Sequence, residues 1–230
     1  MGNHIKFAHN GVSGAGYIAI PESGSGPAII VIQEWWGLVG HITEVVDRFA
    51  AAGFVALAPD LYHGQAASEP DTAKKLMMEL QLDSAAQEIT SAAHYLLGMK
   101  NVTSSSVGVV GFCMGGSLAI WSGTLAPEIT ATVGFYPGSS WERHAPVWAN
   151  YAGKACEIHC AEGDGTSAAP GIQEAVTAIT GAGGVATAHD YAGTSHAFFN
   201  NDRPEVFDAK AAKLAWARAI NFFATHLQNK

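Results

Sequence analysis

The chain is poor in charge and in long apolar stretches. Only 14% of its 230 residues are charged while 48% are hydrophobic, which is too apolar for a disordered chain. Its 20 acidic residues outnumber 12 basic ones, and a net charge of −8 would repel a phosphate backbone, so no nucleic-acid partner is expected. No apolar run approaches the ~20 residues of a membrane span, and no signal-peptide pattern opens the sequence. We therefore expect a cytoplasmic protein without a membrane partner.

Cysteine is also scarce. Cys113, Cys156 and Cys160 are too few, and odd in number, for a disulfide framework, so reduced thiols are expected. Cys156 and Cys160 have the same parity on a predicted strand, which places both on one buried face as inert thiols. Neither cysteine nor histidine spacing suggests a metal site, and we expect no metal and no cofactor.

Short β-type runs alternate with helical periodicity, which predicts an α/β fold with a mostly parallel central sheet flanked by helices. We expect one domain spanning 1–230, with a small N-terminal hairpin around Gly14 and Gly16. The predicted strands are 5–7, 17–20, 28–32, 54–58, 107–110, 131–135, 156–161 and 185–191.

Three helices are predicted from apolar spacing and end signals. The first covers about 42–52 and is closed by Gly53. The second begins at Leu82, with Ser84 and Gln87 spaced for a capping box. The third is C-terminal, with Pro204 in its first turn.

The segment from Val107 to Ser117 places a Gly-x-Cys-x-Gly turn between a buried strand and a helix of small residues. This is the nucleophile-elbow pattern with Cys113 in the serine position. Gly111 and Gly115 are needed because a Cβ at either position would clash with a neighbouring strand or helix. A helix N-terminus also favours a thiolate, which makes Cys113 the candidate nucleophile.

A nucleophile needs a base, and the base needs an orienting group. Asp164 follows the strand that ends near 161, and His196 lies in a Gly- and Ser-containing loop after the strand that ends near 191. Nucleophile, acid, histidine is the chain order of the α/β-hydrolase triad. Asp60 and Asp190 are rival acids, but Asp60 is expected to cap a turn and Asp190 lies inside a strand.

The loop 33–37 directly follows the buried strand 28–32. In this fold such a loop gives one backbone amide to the oxyanion hole, and the residue after the nucleophile gives the other. Trp35 and Met114 are therefore the candidates. Glu34 is unusual, because a carboxylate at the end of a buried strand costs free energy unless it is paired. A solvated loop acid is the alternative interpretation.

Several motifs together resemble the dienelactone hydrolase family, also called carboxymethylenebutenolidases, over nearly the whole chain. The resemblance implies an α/β-hydrolase fold and a cysteine-dependent hydrolase of lactones or carboxylic esters, of the type that opens dienelactone to maleylacetate. The matching stretches are Gln33-Glu34-x-x-Gly37, Ala58-Pro-Asp-Leu-Tyr62, Gly111-Phe-Cys113-Met-Gly-Gly116, Asp164 and His196-Ala-Phe.

The resemblance also implies roles for individual residues. Glu34 would hold the thiol of Cys113 neutral at rest and help to take its proton when substrate arrives. Cys113 would then attack the lactone carbonyl, paired with His196 and oriented by Asp164, and water would hydrolyse the acyl-enzyme. A thiolate that forms only on substrate binding is protected from oxidation and alkylation.

The sequence departs from the family around the substrate carboxylate, where dienelactone-specific members place two arginines. Gly64 and Asn200 stand in those places, with Arg203 nearby. We expect Trp36, Tyr62 and Arg203 to contact the substrate.

Three functions are compatible with these residues. The first is hydrolysis of a small-molecule ester or lactone by a monomer or small homo-oligomer. The alternatives are a broader esterase or thioesterase and a non-catalytic small-molecule binding protein that keeps the pocket. The order of the triad residues favours catalysis.

Overall fold

A computed structural model describes residues 1–9, 11–138 and 140–227. Within these residues, eight strands form one sheet and six α-helices pack on it. The strands are β1 (Asn3–His9), β2 (Val12–Ala19), β3 (Gly26–Ile32), β4 (Val55–Pro59), β5 (Val102–Phe112), β6 (Ile129–Phe135), β7 (Ala155–Ala161) and β8 (Val185–Tyr191). The helices are α1 (Gly40–Ala51), α2 (Pro70–Glu79), α3 (Leu82–Gly98), α4 (Met114–Ser122), α5 (Pro170–Gly181) and α6 (Ala209–His226).

The sheet has the order β1-β2-β4-β3-β5-β6-β7-β8. Strands β3 to β8 are parallel, whereas β2 pairs antiparallel with both β1 and β4. The sequence-based prediction of a mostly parallel sheet with an N-terminal hairpin is therefore confirmed. Parallel strands place their carboxyl ends at one edge of the sheet, where α/β folds form their sites.

Two hydrophobic cores lie on opposite faces of the sheet. Along β3, Ile30 contributes to the core under α3, α4 and α5, while Ile29 contributes to the core under α1 and α6. Both residues are fully buried, as expected for a strand covered on both faces. Among the described residues, no helix combines the length and the apolar character needed to cross a bilayer.

The hairpin prediction is wrong in one respect, because Gly14 and Gly16 lie inside β2 rather than at the turn. Gly14 pairs with Phe7, and Gly16 pairs with both Ile5 and Pro59. A Cβ on Gly14 would lie 2.5 Å from the ring of Phe7. This glycine therefore makes room for a buried aromatic ring.

The predicted start at Leu82 is confirmed for α3, but the predicted capping box of that helix and the predicted start of α6 at Pro204 are wrong. α3 begins at Leu82 after Gln81, with no side-chain cap, so Ser84 lies within the first turn and there is no capping box. α6 begins at Ala209, where the side chain of Asp208 accepts a 2.8 Å hydrogen bond from the amide of Ala211. Asp208 thus satisfies a free N–H of the first turn, and Pro204 lies in the preceding loop.

The core under α3 gives a direct test of the packing. Ile89 on α3 is fully buried, and Ile89→Ala should lower the free energy of unfolding by about 2 to 5 kcal/mol through lost burial and a cavity. Gln87→Ala, at an exposed position of the same helix, is the control and should change it by less than about 0.5 kcal/mol. Urea unfolding measures both, and equal effects would contradict this packing.

Candidate active site

Cys113 lies at a tight turn between β5 and α4, with φ 56° and ψ −120°. Its amide donates a 3.0 Å hydrogen bond to the carbonyl of Phe135. A Cβ on Gly111 would overlap the backbone of Gly115, and one on Gly115 would overlap the carbonyls at the end of β3. The predicted need for both glycines is confirmed. The turn holds the sulfur of Cys113 at the carboxyl edge of the sheet and at the start of a helix.

The three thiols differ in exposure. Cys113 is partly exposed, whereas Cys156 and Cys160 are buried on β7, as predicted. Burial raises the pKa of Cys156 to about 12 and that of Cys160 to about 12. At neutral pH both remain protonated, and a protonated thiol is a poor nucleophile.

Asp164 and His196 come together from the loops after β7 and β8. Oδ2 of Asp164 lies 2.7 Å from Nδ1 of His196. Burial alone would lower the pKa of His196. Hydrogen bonds to Asp164 and Cys113, together with their negative charges, outweigh burial and raise the pKa to about 10. The imidazolium form is therefore favoured between these two groups.

Neither rival acid takes the place of Asp164. Asp60 accepts hydrogen bonds from the amides of Tyr62 at 3.2 Å and Gly64 at 2.6 Å, which is the predicted turn cap. Asp190 accepts hydrogen bonds from the backbone amide and the hydroxyl of Ser167, at 2.6 and 2.8 Å. Asp60 was expected to cap a turn and Asp190 to lie inside a strand. The contacts of Asp60 and the position of Asp190 within β8 agree with these predictions.

Glu34 is only 1% exposed, so the alternative of a solvated loop acid is wrong. Its Oε2 accepts a 2.8 Å hydrogen bond from Nδ2 of Asn200, and its Oε1 accepts a 3.4 Å bond from the hydroxyl of Tyr136. Neither of these two hydrogen bonds involves Cys113. Neither donor is predicted from the sequence. No motif marks Tyr136, and Asn200 stands out only as a departure from a family pattern.

Three aromatic side chains follow strands β3 and β4 at the carboxyl edge of the sheet. The rings of Trp35 and Trp36 meet edge to face at 5.1 Å. Tyr62 is buried, and its hydroxyl lies 3.4 Å from the sulfur of Met114, the first residue of α4. Burial and the charge of Cys113 raise the pKa of Tyr62, so its hydroxyl stays protonated at neutral pH. Tyr62 is therefore an uncharged neighbour of the nucleophile turn.

Arg203, the cation expected near the substrate, lies beside Trp36. Its guanidinium carbon is 6.0 Å from the ring centre of Trp36, and its Nε donates a 3.0 Å hydrogen bond to Glu205. The charge of Arg203 also opposes the rise in the pKa of the Tyr136 hydroxyl, which burial and Glu34 cause. The Nε2 of His63, by contrast, lies 2.7 Å from Oε1 of Glu88.

Arg143 is a further cation near the site that no sequence motif indicated. Its charge opposes the rise that burial causes in the pKa of Tyr62. Its guanidinium donates hydrogen bonds to the carbonyls of Met77, Met78 and Leu80, at 3.1, 3.3 and 2.6 Å. These carbonyls end α2, so the main contact of Arg143 is structural.

Residues 15–227 match a family model described as the dienelactone hydrolase family. The chain belongs to the dienelactone hydrolase family. The expectations of an α/β-hydrolase fold and of a carboxylic ester or lactone hydrolase are thereby confirmed. The identity of the nucleophile and the substrate within that class are a separate question.

Individual proteins agree with this assignment. "Putative carboxymethylenebutenolidase" of Aquifex aeolicus is 34% identical over 235 residues, covering 99% of this chain and 100% of its own. "Protein usf" of Aquifex pyrophilus is 35% identical over 234 residues, with 99% and 100% covered. The crystal structure of a "Putative Dienelactone Hydrolase" from Klebsiella pneumoniae has a TM-score of 0.82 at 21% identity, covering 98% of this chain and 99% of that one, and so shares the fold.

The raised pKa of His196 predicts a pH-dependent contribution to stability. Because the folded value of about 10 lies above the ordinary 6.5, the contribution is complete below pH 6.5 and is lost as the pH rises towards 10. Asp164→Asn should therefore lower the melting temperature most at pH 5.5 to 6.5 and progressively less up to pH 10.

The measurement is thermal unfolding followed by circular dichroism across that pH range. Asp83→Asn, at an exposed position in the first turn of α3, is the matched control. A melting-temperature difference for Asp164→Asn that grows with pH would contradict the assigned contact.

Proposed function

We propose that this hydrolase uses Cys113 as its nucleophile, with His196 as base and Asp164 as the group that orients the histidine. The observation that carries the proposal is the strained elbow at Cys113 beside the 2.7 Å contact between His196 and Asp164. Asp164, together with the sulfur of Cys113 once it has lost its proton, favours the imidazolium form of His196, and this favours transfer of the thiol proton to the ring. The geometry thus supplies a nucleophile, a base and an orienting acid.

The reaction proceeds through an acyl-enzyme. The Cys113 sulfur attacks the ester or lactone carbonyl, and its proton passes to His196. The backbone amides of Trp35 and Met114 stabilise the negative charge on the carbonyl oxygen. His196 gives the proton to the leaving alkoxide, which in a lactone stays attached through the opened ring. Water, deprotonated by His196, then attacks the thioester and releases the carboxylic acid.

We propose a small lactone or ester as substrate, bound beside Trp36, Tyr62 and Arg203. The name of the Aquifex aeolicus relative supports a lactone of the carboxymethylenebutenolide type. Arg203 is the cation placed to meet a substrate carboxylate, since only its Nε is bound to Glu205. One cation is a weaker clamp than two buried arginines, because each charge-assisted hydrogen bond contributes roughly 1.5 to 3 kcal/mol.

A broader esterase or thioesterase is the second candidate function. The observation that favours it is the pair Gly64 and Asn200, which offers no charge to a substrate carboxylate. The paired rings of Trp35 and Trp36 and the uncharged hydroxyl of Tyr62 suit neutral aryl groups equally well. The comparison of charged and neutral substrates below distinguishes the two candidates.

Removal of the thiol tests the mechanism. Cys113→Ala should reduce p-nitrophenyl acetate hydrolysis by about 10³-fold or more, because triad residues act as one unit. Cys160→Ala, which removes a buried thiol of high pKa, is the control and should retain turnover. Equal rates for wild type and Cys113→Ala would exclude the cysteine mechanism. No turnover of any ester by wild type would favour the non-catalytic binding protein.

The charge preference tests the substrate. We expect a carboxylated lactone to have a kcat/KM no more than about tenfold above that of its methyl ester, as one exposed cation contributes modestly. Arg203→Ala should abolish this preference, whereas Lys213→Ala, an equal loss of charge on the exposed side of α6, should preserve it. A large preference for the free acid that survives Arg203→Ala would assign the clamp to another cation.

A further inference from the structure

The carboxylate of Glu34 is held in a fully enclosed polar cluster. Glu34, Tyr136 and Asn200 are 1%, 1% and 3% exposed. A charged carboxylate out of water needs hydrogen-bond donors. Its described donors are both neutral, and the bond from Asn200 at 2.8 Å is much shorter than the 3.4 Å bond from Tyr136. Asn200 is therefore the main group that stabilises this charge.

The amide of Asn200 is fixed in one orientation. Its Oδ1 accepts a 3.0 Å hydrogen bond from the backbone amide of Asp202, while its Nδ2 donates to Glu34. A flipped amide would lose both bonds and would place an oxygen against a carboxylate. The backbone of Asn200 is anchored as well, through Ala197 at 2.9 Å and Arg203 at 3.1 Å. The loop that carries His196 thus presents a rigid N–H donor to Glu34.

The sheet register brings this carboxylate close to the nucleophile. Ile32 pairs with Gly111 on the adjacent parallel strands β3 and β5, and Glu34 and Cys113 each follow two residues later, just beyond the ends of these strands. Phe112 pairs with Phe135, so Tyr136 is next to Cys113 on the other side.

The charges of Glu34 and Cys113 act together on one hydroxyl. Burial and both of these charges raise the pKa of Tyr136. The other titratable or charged groups that face the cluster are His196, whose ring lies 5.0 Å from that of Tyr136, and Arg203. Glu34 and Cys113 therefore both lie close enough to the Tyr136 hydroxyl for their charges to act on it.

We propose that Asn200 is a positioning residue of this hydrolase, which holds the carboxylate of Glu34 in place near Cys113 and links the loop after β3 to the loop that carries His196. The inference rests on the proposed role of Cys113. A negative charge beside the sulfur opposes formation of the thiolate in the resting enzyme and attracts the thiol proton during attack. Without this donor, the carboxylate of Glu34 loses its shorter hydrogen bond and its fixed position, and both effects are weakened.

The test is Asn200→Leu, which removes the donor at similar volume. Alkylation of Cys113 by iodoacetamide at pH 6.5, followed by mass spectrometry, should become about tenfold faster, because one pKa unit changes a thiolate population tenfold. The kcat for p-nitrophenyl acetate should fall about 10²-fold, as in loss of a general base, with KM little changed. Alkylation is followed from pH 5 to 9, because loss of a nearby negative charge lowers the midpoint of the pH profile of alkylation, whereas a general loosening of the site raises the rate without moving that midpoint.

Two further variants provide controls. Asn201→Ala removes an exposed neighbour that contacts Glu44 and His41, and it should leave both readouts within about twofold of wild type, as surface changes usually do. Glu34→Gln should reproduce the phenotype of Asn200→Leu. Adding Asn200→Leu to Glu34→Gln should then change alkylation by less than about twofold, because residues acting through one contact are not additive.

Unchanged alkylation in Asn200→Leu, or an equal change in both backgrounds, would overturn the inference. If Asn200→Leu melts below the assay temperature, Asn200→Ser replaces it. The serine hydroxyl does not extend far enough to make the bond that Nδ2 of Asn200 makes to Glu34. Turnover by Cys113→Ala equal to wild type would instead overturn the proposed nucleophile, and that result is independent of the alkylation rates.

Discussion

The arrangement of the site depends on the backbone conformation at Cys113. A non-glycine residue at φ 56° and ψ −120° is strained by about 1 to 3 kcal/mol, and the surrounding structure must supply that energy. The ladder between β5 and β6 continues up to Phe112, and the next amide, that of Cys113, bonds to Phe135. One residue later α4 begins, and the amide of Gly116 returns to the carbonyl of Cys113 at 2.9 Å. The sulfur is therefore fixed from both sides by regular structure.

The parallel sheet explains why distant residues meet at this turn. Ala161 pairs with Tyr191 at the ends of β7 and β8, so the loops that carry Asp164 and His196 leave the sheet side by side. A short distance along each loop, the carboxylate and the imidazole are in contact. The register of β7 and β8 thus brings the loops of Asp164 and His196 together, and the lengths of these loops determine the distance between the two side chains. A shift in the pairing of β7 and β8 would separate the two residues.

These relations explain which features could be predicted from the sequence. Buried parallel strands and the elbow have strong local signals, and the order of nucleophile, acid and histidine follows from them. α2 is absent from the predicted elements, although Ala73, Leu76 and Leu80 recur at helical spacing along this segment and are buried. Gly14 was misplaced because glycine signals both turns and close packing, and only the ring of Phe7 distinguishes the two.

The partners of Glu34 could not be predicted, because they depend on contacts between residues far apart in sequence. Tyr136 and Asn200 follow β6 and β8, and neither belongs to a pattern with a known spacing. The position of Glu34 directly after a buried strand indicated that its carboxylate could be buried and paired. Which donor stabilises it required the folded arrangement.

The choice of a neutral donor for Glu34 has a consequence for the charge of the whole site. An arginine at position 200 would neutralise the carboxylate and lose its own availability to substrate in doing so. With Asn200 there, Glu34 keeps its charge through hydrogen bonding, and Arg203 remains separate, half-exposed near Trp36. In the proposed mechanism, control of the thiol and recognition of substrate charge therefore belong to different side chains. Each can change in evolution without disturbing the other, provided that the amide of Asn200 stays directed at the carboxylate.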